Sequence, residues 1–268
     1  MHILWIIILI GYAVCVAQAV YALTTKRPVL QRTALVALAI ALGAHTSWLV
    51  LTGIRTNRCP LVGTGEMSAF LSWCLVLSYL IASRWYRANA LKAFVFPIVL
   101  VLATIAAISP EGQGAPGVAN PPLQGVLLPL HVGLILLAYA AFFITFGAGL
   151  MYIIQERELK HKRFGTIFYR LPSLDTCDSI SSRSMAIGFA LLTMGILAGL
   201  WFTHATYGVY WKGGPLEIFS VATWVLYLLL IQTRMTAGWG GRAGALASIV
   251  SFLIVVCSLV GVRYLGHA

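Results

Sequence analysis

"LHVGLILLAYAAFFITFGAGLMYIIQERELK", residues 130–160, carries no Asp, Glu, Lys or Arg before Glu156. About 20 apolar residues are enough to cross the hydrocarbon core of a bilayer. The stretch therefore reads as a transmembrane helix. Taken with the apolar residues that precede it, the window 124–155 is too long to be a span alone, so its C-terminal turns are expected to project beyond the bilayer.

The rest of the chain agrees with that reading. Of its 268 residues, 60% are hydrophobic and only 9% charged, and the mean hydropathy of +0.91 lies far outside the range of soluble domains. Seven further windows resemble the first, at 2–24, 33–53, 67–83, 91–108, 184–205, 216–233 and 243–264. The expected fold is all-α: a polytopic integral membrane protein of eight transmembrane helices, forming one transmembrane domain over 1–268. The first window has no basic n-region and no convincing cleavage site, so it reads as a retained helix.

The formal charge of +11 has its explanation in orientation. When loops are assigned alternately, one side collects Lys26, Arg27, Arg32, Arg84, Arg87, Lys92, Arg157, Lys160, Lys162, Arg163, Arg170, Arg183, Arg234 and Arg242. The other side has Arg55, Arg58, Lys212 and Arg263. Positive loops stay in the cytoplasm, which puts both termini on the outer, periplasmic side. No nucleic-acid module is present, and the lipid bilayer is the partner that the composition implies. The most polar segment, 156–183, reads as an orienting loop with an amphipathic stretch at the lipid surface.

Several chemistries are excluded. Cys15, Cys59, Cys74, Cys177 and Cys257 form no CxxC and no ligand-like spacing, which argues against a thiol–disulfide enzyme or a zinc site. Walker, Rossmann and serine-hydrolase signatures are absent, and no catalytic constellation points to an enzyme. None of the seven acids falls at the centre of a span, as a proton or ion relay would require.

The histidines remain. His2, His45, His131, His204 and His267 all fall on the expected outer side, and only His161 is cytoplasmic. A histidine at the interface commonly just bridges water and headgroups, but His45 and His131 lie deeper, where imidazole needs a hydrogen-bond partner, a cavity or a metal. Imidazole is a common axial ligand of haem iron. In "GAHTSW", Gly43 and Ala44 adjoin His45, and Trp48 follows one turn on. After His131, Ile135, Ala138 and Tyr139 share a helical face. Such an aromatic stripe also suits plain packing.

A resemblance goes further. The 130–160 stretch resembles the helix that opens the core of the cytochrome c assembly family. Similarity continues through "FSVATWVLYLLLIQTRMTAGWGGRAGALASIVSFLIVVCSLVGVRYLGHA", residues 219–268, with its "TW...Y...TR...GW.G.R" run, and through Glu66 in "GTGEMSAFLSW". It covers most of residues 60–268 and is strongest over 124–268. The chain's size, its eight spans and "LAGLWFTH" at 197–204 are most similar to the HemX and YpjD-like branch.

The resemblance implies that His131 is a haem ligand on the outer side, of a non-covalent haem b, for which Trp48, Tyr139 and Trp211 are the candidate aromatic contacts. Its axial partner is open among His204, His267 and His45, in that order. "YGVYWKGGPLE", residues 207–217, stands where haem-delivering members carry "WG.YW.WDP.E". It keeps Tyr210, Trp211, Pro215 and Glu217, but Gly213 and Gly214 replace the second Trp and the Asp. Gln232 stands where the family has a further His.

The implied function is to hold or export haem at the outer face of a bacterial inner membrane in support of c-type cytochrome biogenesis. Implied partners are cytochrome c maturation proteins or haem-synthesis enzymes. Two alternatives differ in class. One is a HemX-like regulatory or scaffold protein affecting glutamyl-tRNA reductase, with 156–183 as its working surface. The other is an accessory subunit of a transporter.

Overall fold

The computed structural model describes residues 2–24, 28–57, 59–61, 63–86, 90–109, 124–162, 165, 168–236 and 238–265. Among the orienting cations, Lys26, Arg27, Arg58, Arg87 and Arg163 lie outside the described residues. The described residues form eight helices and no strand: α1 His2–Thr24, α2 Pro28–Thr56, α3 Thr64–Trp85, α4 Leu91–Ile108, α5 Gln124–Lys160, α6 Leu174–Tyr207, α7 Pro215–Thr236 and α8 Gly241–Leu265. All eight are long and apolar enough to cross a membrane. Helices suit this environment because each one satisfies its own backbone polar groups, which lipid cannot do.

α5 and α6 are the long members. With 37 and 34 residues, they run about 50–55 Å at 1.5 Å per residue, well beyond a hydrocarbon core of about 30 Å. α6 starts ten residues before the apolar window at 184. Its polar first turns are helical because Ser173 caps them: the Ser173 hydroxyl accepts the N–H of Thr176 at 3.2 Å, and Asp175 lies in the first turn, where a carboxylate suits the helix dipole.

The chain divides into two compact units, Met1–Ala119 with Glu158–Pro172, and Asn120–Arg157 with Ser173–Ala268. In the first, α1 packs on α2 and α4, and α3 packs on α4. Glycine sets the closest approach: a Cβ at Gly11 would stand 2.6 Å from the Cβ of Ala41. Small residues of this kind let membrane helices gain dispersion contacts where no hydrophobic force drives them together. Tyr79 and Phe96 add an edge-on ring contact at 5.1 Å.

In the second unit α5 and α6 run antiparallel, since Gly199 meets His131, Gly195 meets Ile135 and Gly188 meets Phe142. Phe142 and Tyr227 stack with ring centroids 3.5 Å apart and planes within 6°, at the centre of a core with Ala138, Met185, Leu192, Phe219 and Val255. The indole of Trp224 donates to Thr193 Oγ1 at 2.9 Å, which ties α7 to α6.

Candidate functional site

His131 sits in the second turn of α5, partly buried, and its ring lies against α6. Nδ1 is 2.7 Å from the carbonyl oxygen of Gly195. A carbonyl can only accept, so Nδ1 carries the proton and Nε2 keeps its lone pair. This is the usual arrangement of metal-binding histidines, whose second nitrogen donates to a carbonyl or carboxylate and thereby fixes tautomer and ring orientation. The ring reaches that carbonyl because residue 199 has no side chain: a Cβ there would stand 2.5 Å from both Cε1 and Nδ1.

His204, in the last turn of α6, is exposed and stacks flat on Tyr210, with centroids 4.1 Å apart and planes 14° from parallel. Its carbonyl accepts the N–H of Gly208, the left-handed residue that ends the helix, at 2.8 Å. The segment beyond is a folded lip. Glu217, in the first turn of α7, accepts three successive backbone N–H groups through one carboxylate oxygen, from Lys212 at 2.9 Å, Gly213 at 2.9 Å and Gly214 at 3.4 Å.

Gly213 has φ +72°, a conformation that costs an L side chain about 1–2 kcal/mol. Gly213 thus makes the turn that delivers these N–H groups. Tyr210 and Trp211 are exposed on the lip, and the Lys212 ammonium lies over the ring of Tyr207.

His45 is in the first unit and is differently built. It is fully buried among Trp5, Tyr12 and Trp48, with Trp5 5.8 Å and Tyr12 5.9 Å from its ring and Trp48 4.7 Å from Trp5. Its Nδ1 is 2.9 Å from the Tyr12 hydroxyl. A phenol both donates and accepts, so this contact is compatible with either imidazole tautomer. Among the described residues, the buried Nε2 and the Trp48 indole N–H meet no hydrogen-bond partner.

Gly43 does not border His45. Two residues turn a helix by about 200°, and Gly43 instead lines an open groove with Ala39, Leu42, Thr46, Ser47, Val50 and Leu51. His45 is closed off from any ligand in this packing.

Tyr139 is partly buried and packs against the Phe142–Tyr227 core, and Trp48 belongs to the cluster around His45. His267 lies outside the described residues. Gly195 and Gly199, the seat of His131, were not singled out from the sequence; the spacing in "GILAG", 195–199, is the trace they leave there. Among the described residues no three His, Cys, Asp or Glu come together to hold a metal ion. A haem iron needs only one or two protein donors, since the macrocycle supplies the rest. His131, whose anchored Nδ1 leaves the lone pair on Nε2, fits that requirement.

Eight helices long and apolar enough to cross a membrane define a polytopic membrane protein, and His131, anchored through Nδ1, is its candidate ligand residue. Residues 61–268 match the family described as Cytochrome C assembly protein, and the chain belongs to that family. It is similar to the cytochrome c biogenesis protein CcsA of Prochlorococcus marinus (strain NATL1A), 27% identical over 247 residues, covering 82% of this chain and 78% of that protein. CcsA of Parasynechococcus marenigrum (strain WH8102) is 27% identical over 259 residues, covering 88% and 85%. CcsA of Synechococcus sp. (strain CC9605) is 26% identical over 259 residues, with the same coverage.

Proposed function

We propose that this protein binds haem through His131 and holds it at the outer face of a bacterial inner membrane, in support of c-type cytochrome assembly. Family membership supports the assembly role. The observation that carries the haem reading is the bond from Nδ1 of His131 to the Gly195 carbonyl at 2.7 Å, which leaves Nε2 as the only nitrogen able to ligate.

On this reading His131 would hold the group through Nε2, with its ring oriented by the Gly195 carbonyl of α6. His204, stacked on Tyr210, covers the bound group or supplies a second bond. Tyr210 and Trp211 offer aromatic surface to a flat macrocycle, and Glu217 keeps their loop folded. The haem itself supplies redox-active iron; the protein supplies ligand, orientation and exclusion of water. The two glycines at 213 and 214 make the lip a cover more than a platform for handing haem onward. That favours holding or stabilising haem, as the HemX and YpjD-like resemblance also suggests.

The test is an absorption spectrum of the protein purified in detergent from haem-replete cells, alone and as His131→Ala. A Soret band in the native protein that is lost or strongly reduced in the variant supports the proposal. A native preparation without a Soret band, whose cellular effect follows substitutions in 156–183, would favour the regulatory alternative.

A further inference from the structure

We propose that Gly199 is a positioning residue of the His131 site: its missing side chain reserves the notch in which the imidazole lies with Nδ1 turned to Gly195. The inference rests on the haem reading of His131 and adds two α6 residues to that site.

The geometry is restrictive. A Cβ at 199 would stand 2.5 Å from Cε1 and 2.5 Å from Nδ1 of His131, and 3.3 Å from Cγ. The clash is with the body of a rigid ring, so it cannot be absorbed by swinging the end of a flexible chain. The ring must retreat from α6, and retreat breaks the 2.7 Å bond to Gly195. Gly195 belongs to the same notch: a Cβ there would lie 2.9 Å from Cγ1 of Ile135, one turn after His131 on α5.

The spacing of the two glycines, four residues, puts both on the face of α6 that meets α5. Without the carbonyl, nothing holds the proton on Nδ1, and Nε2 loses both its fixed direction and the added basicity that an anchored imidazole has. Loss of such an outer partner typically lowers metal affinity about 10–100-fold, short of the abolition expected when the ligand itself is removed.

Gly188 provides a matched control. A Cβ there would meet Phe142 at 2.6 Å and 2.7 Å, an equally severe clash in the same helix pair, on residues that do not touch His131. Gly199→Ala and Gly188→Ala are therefore compared by two readouts. The first is ¹⁵N NMR of histidine-labelled, haem-free protein in detergent, with the His131 signal assigned by its loss in His131→Gln. The second is haem affinity by titration.

The expected result is an Nδ1–H tautomer at His131 in the native protein and in Gly188→Ala, a mixed tautomer in Gly199→Ala, and haem affinity about 10–100-fold lower in Gly199→Ala only. An Nε2–H tautomer in the native protein overturns the proposal. So does a Gly199→Ala variant indistinguishable from native by both readouts, or a Gly188→Ala variant that loses as much. Should Gly199→Ala fail to accumulate, the native tautomer decides alone. If the native protein binds no haem, the functional reading falls, while the tautomer measurement still decides the positioning role.

Discussion

Glu217 accepts the N–H of Gly213 at 2.9 Å, and this bond joins the first turn of α7 to the loop that precedes it. The same carboxylate oxygen takes the N–H groups of Lys212 and Gly214, so one side chain organises the whole lip.

Glu217→Ala should therefore free three amides without disturbing the helical core. Charge-assisted hydrogen bonds contribute about 1.5–3 kcal/mol when well shielded, and this carboxylate is partly exposed, so exchange at 212–214 should rise about tenfold. Glu217→Gln, which keeps one acceptor oxygen, should fall between. Hydrogen exchange read by mass spectrometry over 208–217 checks this. An unchanged rate in Glu217→Ala would mean that the lip is held by something else.

A second cluster closes the far end of the same unit. Arg234 at the end of α7 lies 3.3 Å from Asp178 of α6 and donates to Ser182 and, at 3.2 Å, to Ser181. Asp178 also accepts the N–H of Gly241 at 3.1 Å, which brings in α8. Gly244 leaves room for the guanidinium, since a Cβ there would stand 2.7 Å from Nη2. The Arg234 side chain is 11% exposed and that of Asp178 30%.

Arg234→Gln should destabilise the protein by about 1–2 kcal/mol, because it takes the cation from a partly buried carboxylate that keeps the Gly241 N–H. A lowered melting temperature in detergent is the readout. The haem spectrum should keep its position, since Asp178 and Gly199 are about 30 Å apart along α6. A shifted spectrum with unchanged melting would contradict this separation of roles.

The Tyr12–His45 pair offers a contrast. Tyr12→Phe removes the hydroxyl that bonds a buried imidazole nitrogen, which should cost about 1–3 kcal/mol. If His131 is the ligand, the Soret band should persist in this variant while thermal stability falls. Loss of the band with unchanged stability would move ligation to His45.

Most of the architecture was legible in the sequence. The windows 2–24 and 91–108 coincide with α1 and α4, because long apolar runs bounded by polar residues leave few alternatives in a bilayer. The start of α6 was not, because "LDTCDSISSR" is polar and its helicity depends on the Ser173 cap. Among site residues, His131 could be singled out by its depth and by the family resemblance. Its seat could not, since Gly195 lies 64 residues away and only the α5–α6 contact brings the two together. The facing of His45 was hidden for a similar reason: α2 alone does not reveal that Tyr12, 33 residues earlier, closes over it.

The central claim is that Nε2 of His131 bonds to haem iron, and replacement of the side chain by free ligand tests it most directly. His131→Gly leaves a space the size of the lost imidazole beside Gly199, and added imidazole can fill it. The expected result is a Soret band that is lost or shifted in His131→Gly and returns to its native position as imidazole is titrated in. A native spectrum in His131→Gly without imidazole would contradict it.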